Sequence, residues 1–123
     1  MEKIFISSVQ KEFAQERRAV AEYLREDPLL GSFFEPFLFE EVPATTANHG
    51  AVYLEEVRRS HIFIALLGIE YGFEDVDGIS PTEREYSAAK EEGIPRWIYI
   101  KGGTDTPRHP KEEAFIRLVG RKA

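Results

Sequence analysis

His61-Ile62-Phe63-Ile64-Ala65-Leu66-Leu67-Gly68 is an unbroken apolar run of strand length, closed by a polar residue at one end and a glycine at the other. A run without alternation is what a parallel strand requires when helices cover both of its faces. The patterns on either side agree with that reading. Upstream, Lys3 to Ser7 reads as a first strand, and the Ser7-Ser8 pair is placed to cap a helix starting near Val9, with Gln10 as capping-box partner. In that helix Val9, Phe13, Val20 and Leu24 share one face at about 100° per residue, and Asp27-Pro28 ends it after Arg25. Glu16 and Arg17 flank this stripe, so each is expected to be half-buried in a structural ion pair. A second strand is expected within Phe37 to Glu40, after the Pro36 interruption. Glu41 to Gly50 has loop composition, and Ala51 to Ser60 reads as a short helix turning Val52, Leu54 and Val57 inward.

Downstream of the central run, Gly68 to Ser80 is a long polar loop, and loops of that length in compact domains are usually functional. Ser80 is an N-cap, Pro81 suits the first helical position, and Glu83 completes a Ser-x-x-Glu box. Gly93 stops that helix. Arg96 to Lys101 is a fourth strand, and Pro110 to about Val119 is a last helix carrying Ala114, Phe115, Leu118 and Val119. Alternating strands and helices with right-handed crossovers predict an α/β, flavodoxin-like three-layer domain. Its sheet is mostly parallel and four-stranded, of order 2-1-3-4. A fifth strand commonly follows the final helix of such folds, so one is expected beyond residue 123.

The 123 residues make one domain by length, and 42% apolar with 31% charged residues is an ordinary globular composition. With no cysteine there is no thiol nucleophile, zinc-thiolate finger or iron-sulfur cluster, and a cytoplasmic location is expected. Met1-Glu2-Lys3 leads straight into a strand-like run, so no secretory leader is expected, and the longest apolar run is far short of the roughly 20 residues of a membrane span. The net charge of −6 argues against direct nucleic-acid contact, which needs clustered Lys and Arg. The charge is uneven: residues 1–95 carry 9 basic and 19 acidic side chains, and residues 96–123 carry 7 and 3.

Ligands of open parallel sheets bind beyond the carboxyl ends of the strands, at the switch point between strands one and three. That selects Ser7, Ser8, the Gly68–Ser80 loop with Tyr71 and Gly72, and Ser80 and Thr82 at the start of the following helix. The backbone N–H groups there favour an anion such as a phosphate. Glu83 has a structural task as capping partner. Glu85 lies about 60° from the inward stripe of Thr82, Tyr86, Ala89 and Gly93, which makes it the carboxylate available for chemistry. Tyr71 or Phe73 is placed to stack on a base.

Other chemistries lack their motifs. There is no G-x-x-x-x-G-K-[ST] for ATP hydrolysis, no G-x-G-x-x-G after the first strand, and no acceptor Asp closing the third strand. Glu74 to Gly78 lacks the ligand spacing of a calcium loop, and His49, His61 and His109 lack zinc-ligand spacing, so no metal is expected.

Lys3-Ile4-Phe5-Ile6-Ser7-Ser8-Val9, Glu12-Phe13, Glu16-Arg17, Gly68-Ile69-Glu70-Tyr71-Gly72 and Ser80-Pro81-Thr82-Glu83-Arg84-Glu85-Tyr86 together resemble an uncharacterised TIR-like N-terminal domain family. That family resembles TIR and nucleoside deoxyribosyltransferase domains. It is found at the N-terminus of longer multidomain proteins, among them a RecG-related putative ATP-dependent DNA helicase. The resemblance implies that any helicase activity lies outside residues 1–123, and that the partners are downstream domains of the same polypeptide and further copies of the domain. It also implies that Glu85 matches the Glu that acts at the ribose of a nucleotide, although Ser87 and Ala88 depart from the deoxyribosyltransferase pattern. Two functions follow as expectations. One is a non-catalytic interaction or sensor module that regulates or assembles an attached effector. The other is a nucleotide N-glycosidase, with NAD as leading substrate, using Glu85.

Overall fold

In a computed structural model, residues 1–42 and 53–120 are described. The elements run β1 (Glu2–Ser8), α1 (Ala14–Glu26), α2 (Leu30–Phe33), β2 (Phe34–Phe37), a 3-10 turn (Phe39–Glu41), α3 (Leu54–Arg58), β3 (Ile62–Leu67), α4 (Pro81–Glu92), β4 (Arg96–Ile100) and α5 (Pro110–Gly120). The four strands are parallel and ordered β2-β1-β3-β4, the flavodoxin-like arrangement expected from the alternating pattern.

All six residues of β3 are buried, and the period of two divides them between two cores. Ile62, Ile64 and Leu66 pack with Ile4 and Ile6 against Phe13, Ala21 and Leu24 on the α1 face. Phe63, Ala65 and Leu67 pack with Phe5 against Val57 of α3, Tyr86, Ala88 and Ala89 of α4, and Phe115 of α5 on the other. Among the described residues no helix is long and apolar enough to cross a membrane.

Several boundaries differ from the sequence reading. The second strand is Phe34–Phe37, earlier than Phe37–Glu40, and Pro36 lies inside it opposite Ile4. A proline is tolerated there because β2 is an edge strand among the described strands, paired on one side with β1. The first helix begins at Ala14, not near Val9, and neither Ser7 nor Ser8 caps it. Both serines belong to β1, where side chains elsewhere in the fold take their hydroxyls. Residues 9–13 form a turn held by Phe13 N–H to the Val9 carbonyl at 3.1 Å.

The helix α4 keeps its expected ends. Ser80 Oγ accepts from Glu83 N–H at 3.2 Å with Pro81 following, and Gly93 closes α4 at φ 71°, where a side chain would be strained. The third helix is confined to Leu54–Arg58 within the expected Ala51–Ser60, and Ala51 and Val52 lie outside the described residues.

Candidate functional site

Ser7 and Ser8 close β1, and the alternation of a strand sends their side chains to opposite faces. Ser7 Oγ donates to Glu85 Oε1 of α4 at 2.6 Å on one face. On the other, Ser8 Oγ accepts from Arg17 Nη1 of α1 at 2.9 Å. Arg17 is only 1% exposed, far more buried than its position on the stripe's flank suggested. Its remaining donors grip Glu40, Nε at 2.9 Å and Nη2 at 2.7 Å, and the guanidinium lies over the Phe39 ring. This bidentate geometry suits a guanidinium removed from water. Burial raises the Glu40 carboxyl, but the hydrogen bonds and charge of Arg17 outweigh it and leave it below its ordinary range. Glu16 is instead a surface partner of Lys101, at 2.8 Å.

Glu85 is 6% exposed. Desolvation pushes its carboxyl up to about 7, against the lowering effects of the Ser7 hydroxyl, the Tyr53 backbone and the Arg17 charge. It is a proton-holding group at near-neutral pH.

Beyond the carboxyl ends of β1 and β3, where the strand order reverses, lies a groove of about 490 Å³. Val9 and Lys11 form one wall, Ile69 to Phe73 the other, and His109 closes it. Tyr71 and Gly72 lie along this groove, Gly72 exposed and Tyr71 only 3% exposed. Tyr71 stacks on His109 with centroids 5.9 Å apart, and its hydroxyl donates to Glu83 Oε1 at 2.6 Å. Ser7, Ser8, Ser80, Thr82 and Glu85 are buried and do not line this groove. Phe73 is 68% exposed at its rim.

The start of the wall is fixed by two carboxylates that take three consecutive backbone donors. Glu112 Oε2 accepts from Gly68 N–H at 3.0 Å, and Glu12 accepts from Ile69 and Glu70 N–H at 2.8 and 2.9 Å. Burial, with the neighbouring Glu12 charge adding to it, pushes the Glu112 carboxyl up to about 7 although the Gly68 N–H opposes this. Three amides in a row form an anion cradle, and here the protein's own carboxylates fill it. A phosphate would have to displace them. Among the described residues no cluster of three or more His, Asp or Glu is placed to hold a metal ion.

Residues 3–121 match the family described as Domain of unknown function (DUF4062). The chain belongs to the DUF4062 family. No curated protein and no solved structure matches it.

Several residues around the site of this DUF4062 domain escaped the sequence reading. Glu112 carried a usable signal, since it stands three, four and seven residues before Phe115, Ile116 and Val119, on the inward stripe of α5. Glu40 and His109 carried none, because loops and turns set their positions. Arg84 also belongs to the framework of this DUF4062 domain. It bonds Asp75 at 2.8 Å and Asp77 at 2.9 Å, and that hydrogen bond to Arg84 is the main cause that holds the Asp75 carboxyl down at about 2. The acidic loop is thereby tied to α4.

Proposed function

We propose that the chain is a non-catalytic interaction or sensor module that regulates or assembles an attached effector, with its contact surface at the groove beyond β1 and β3. One observation carries this reading. The polar groups at the carboxyl ends of the strands are spent on one another, Ser7 on Glu85 and Arg17 on Ser8 and Glu40, while the adjoining groove offers Val9, Ile69 and Phe73. The amide cradle beside it is filled by Glu12 and Glu112, which disfavours a phosphate-bearing ligand. An apolar groove with an exposed aromatic at its rim suits a protein side chain.

A second reading is a nucleotide N-glycosidase acting on NAD through Glu85. The burial that pushes this carboxyl up to about 7 favours it, as does the resemblance to TIR and deoxyribosyltransferase domains. On either reading, the helicase activity suggested by the RecG-related resemblance belongs to other parts of a longer polypeptide.

The two readings separate in the intact protein with two substitutions. The interaction reading expects Phe73→Asp to abolish effector control with the fold unchanged, and Glu85→Gln to leave it intact. Nicotinamide release from NAD that is lost in Glu85→Gln and kept in Phe73→Asp would replace the first reading by the second.

A further inference from the structure

Two carboxylates from distant parts of the chain meet on the amides that open the groove wall. Glu12, in the turn before α1, uses both oxygens, Oε2 on Ile69 N–H at 2.8 Å and Oε1 on Glu70 N–H at 2.9 Å. Glu112, in the first turn of α5, accepts from Gly68 N–H at 3.0 Å. The two converge on Gly68 itself, since a Cβ at that position would fall on the Glu12 carboxylate. Glu112 is 3% exposed, whereas Glu12 is half-buried. Like charges that share a partly dry site repel, and ionising both is costly.

The surrounding cations are engaged elsewhere. Arg108 acts on Glu112 across space, but its donors go to the carbonyls of Gly68, Lys101 and Gly103. Lys101 is held by Glu16 and Lys111 by Glu74. Glu83 of α4 adds a further negative charge and accepts from the Tyr71 hydroxyl. His109 donates its backbone N–H to the Ile69 carbonyl at 2.9 Å, and its Nδ1 accepts from Lys111 N–H at 3.0 Å. Among the described residues neither Glu12 nor Glu112 forms an ion pair.

We propose that Glu12 and Glu112 form a proton-gated latch on the groove wall. With Glu112 protonated, the two side chains share the three amides. When that proton passes to solvent, repulsion expels Glu12 and frees the Ile69 and Glu70 N–H groups. Glu12 is the member that moves, because the half-buried carboxylate reaches water at less cost than the buried one. Burial, with the Glu12 charge adding to it, pushes the Glu112 carboxyl up to about 7, so the latch holds below neutral pH and releases above it.

Ile69 and Glu70 are the first two residues of the wall, so the groove keeps its shape at acid pH and loosens as the pH rises. The signal that the module reads is then the proton itself. This consequence rests on the groove as contact surface, whereas the latch does not.

Amide NMR of the chain between about pH 5 and about pH 9 tests the latch, with hydrogen exchange at the same amides corrected for its intrinsic rise with pH. The expected result is that Gly68, Ile69 and Glu70 resonances move together with a midpoint near neutral pH. Above it Ile69 and Glu70 lose protection roughly tenfold or more, while Gly68 keeps its acceptor and its protection. Glu112→Gln abolishes both changes, and Glu12→Gln, which removes the repelling charge, leaves Ile69 and Glu70 protected throughout. Amides that do not titrate, or that titrate without losing protection, overturn the proposal. So does a titration that persists in Glu112→Gln and disappears in His109→Gln or in Glu85→Gln. Any of these leaves the groove reading standing, since Phe73→Asp tests that separately.

Discussion

The Ser7 hydroxyl donates to Glu85 Oε1 at 2.6 Å, joining the carboxyl end of β1 to the second turn of α4 inside the protein. Both groups are buried, and the carboxyl is the costly member, because an ionised form has exchanged water for one hydroxyl, one backbone contact and the more distant Arg17 charge.

Stability should therefore fall as pH rises. With its pKa raised from 4.5 to about 7, Glu85 keeps in the folded state a proton that the unfolded chain gives up. The contribution is complete below pH 4.5, declines through the window to pH 7 and is gone above it. Its size is of the order of 3 kcal/mol. Glu85→Gln keeps an acceptor for Ser7 and cannot ionise. Urea denaturation should find this variant close to wild type at low pH and more stable than wild type at pH above 7. A smaller slope that survives in the variant over the same window belongs to Glu112.

Arg17 should be worth far more than other arginines on the surface of α1. Arg17→Met strands Glu40 and Ser8 and is expected to cost about 3 kcal/mol, as breaking a buried pair does. Arg25→Met removes a comparable bidentate pair with Glu41, but both partners are over two-fifths exposed, and the expected cost is below about 1 kcal/mol. Equal losses in chemical denaturation would contradict this assignment.

Gly68 sets how closely the loop after β3 approaches the turn that leads into α1. A Cβ there would collide with the Glu12 carboxylate and the Phe13 ring. Gly68→Ala should cost about 1–3 kcal/mol and displace Glu12 from the Ile69 and Glu70 amides. Hydrogen exchange should show those two amides losing protection before the core strands do.

The sheet was legible because its signal is local. An unbroken run from Ile62 to Leu67 can be buried on both faces only between helices, and Ser80, Pro81 and Gly93 mark their helix ends by their own chemistry. Pro36 misled because its meaning depends on whether the strand is an edge, which the chain alone does not state. Ser7 and Ser8 look like caps in sequence, but Glu85 and Arg17, 78 and 9 residues away, claim the two hydroxyls. Glu85 and Tyr71 were recognisable as members of the carboxyl-end region. That both end up buried, with only Tyr71 beside the groove, was not, since burial there depends on how α4 and α5 settle on the sheet. The groove is built from turns with no period to read, so Val9, Lys11 and His109 gave no warning.

The most direct test of the interaction reading is an NMR titration of the chain with NAD and, separately, ATP, recorded for wild type and for Glu85→Gln. The account predicts no saturable shift at Ser7, Ser8 or Tyr71 to Glu85 at millimolar ligand in either protein. Saturable shifts at those residues in wild type that Glu85→Gln alters would contradict it and make the domain a nucleotide-binding site.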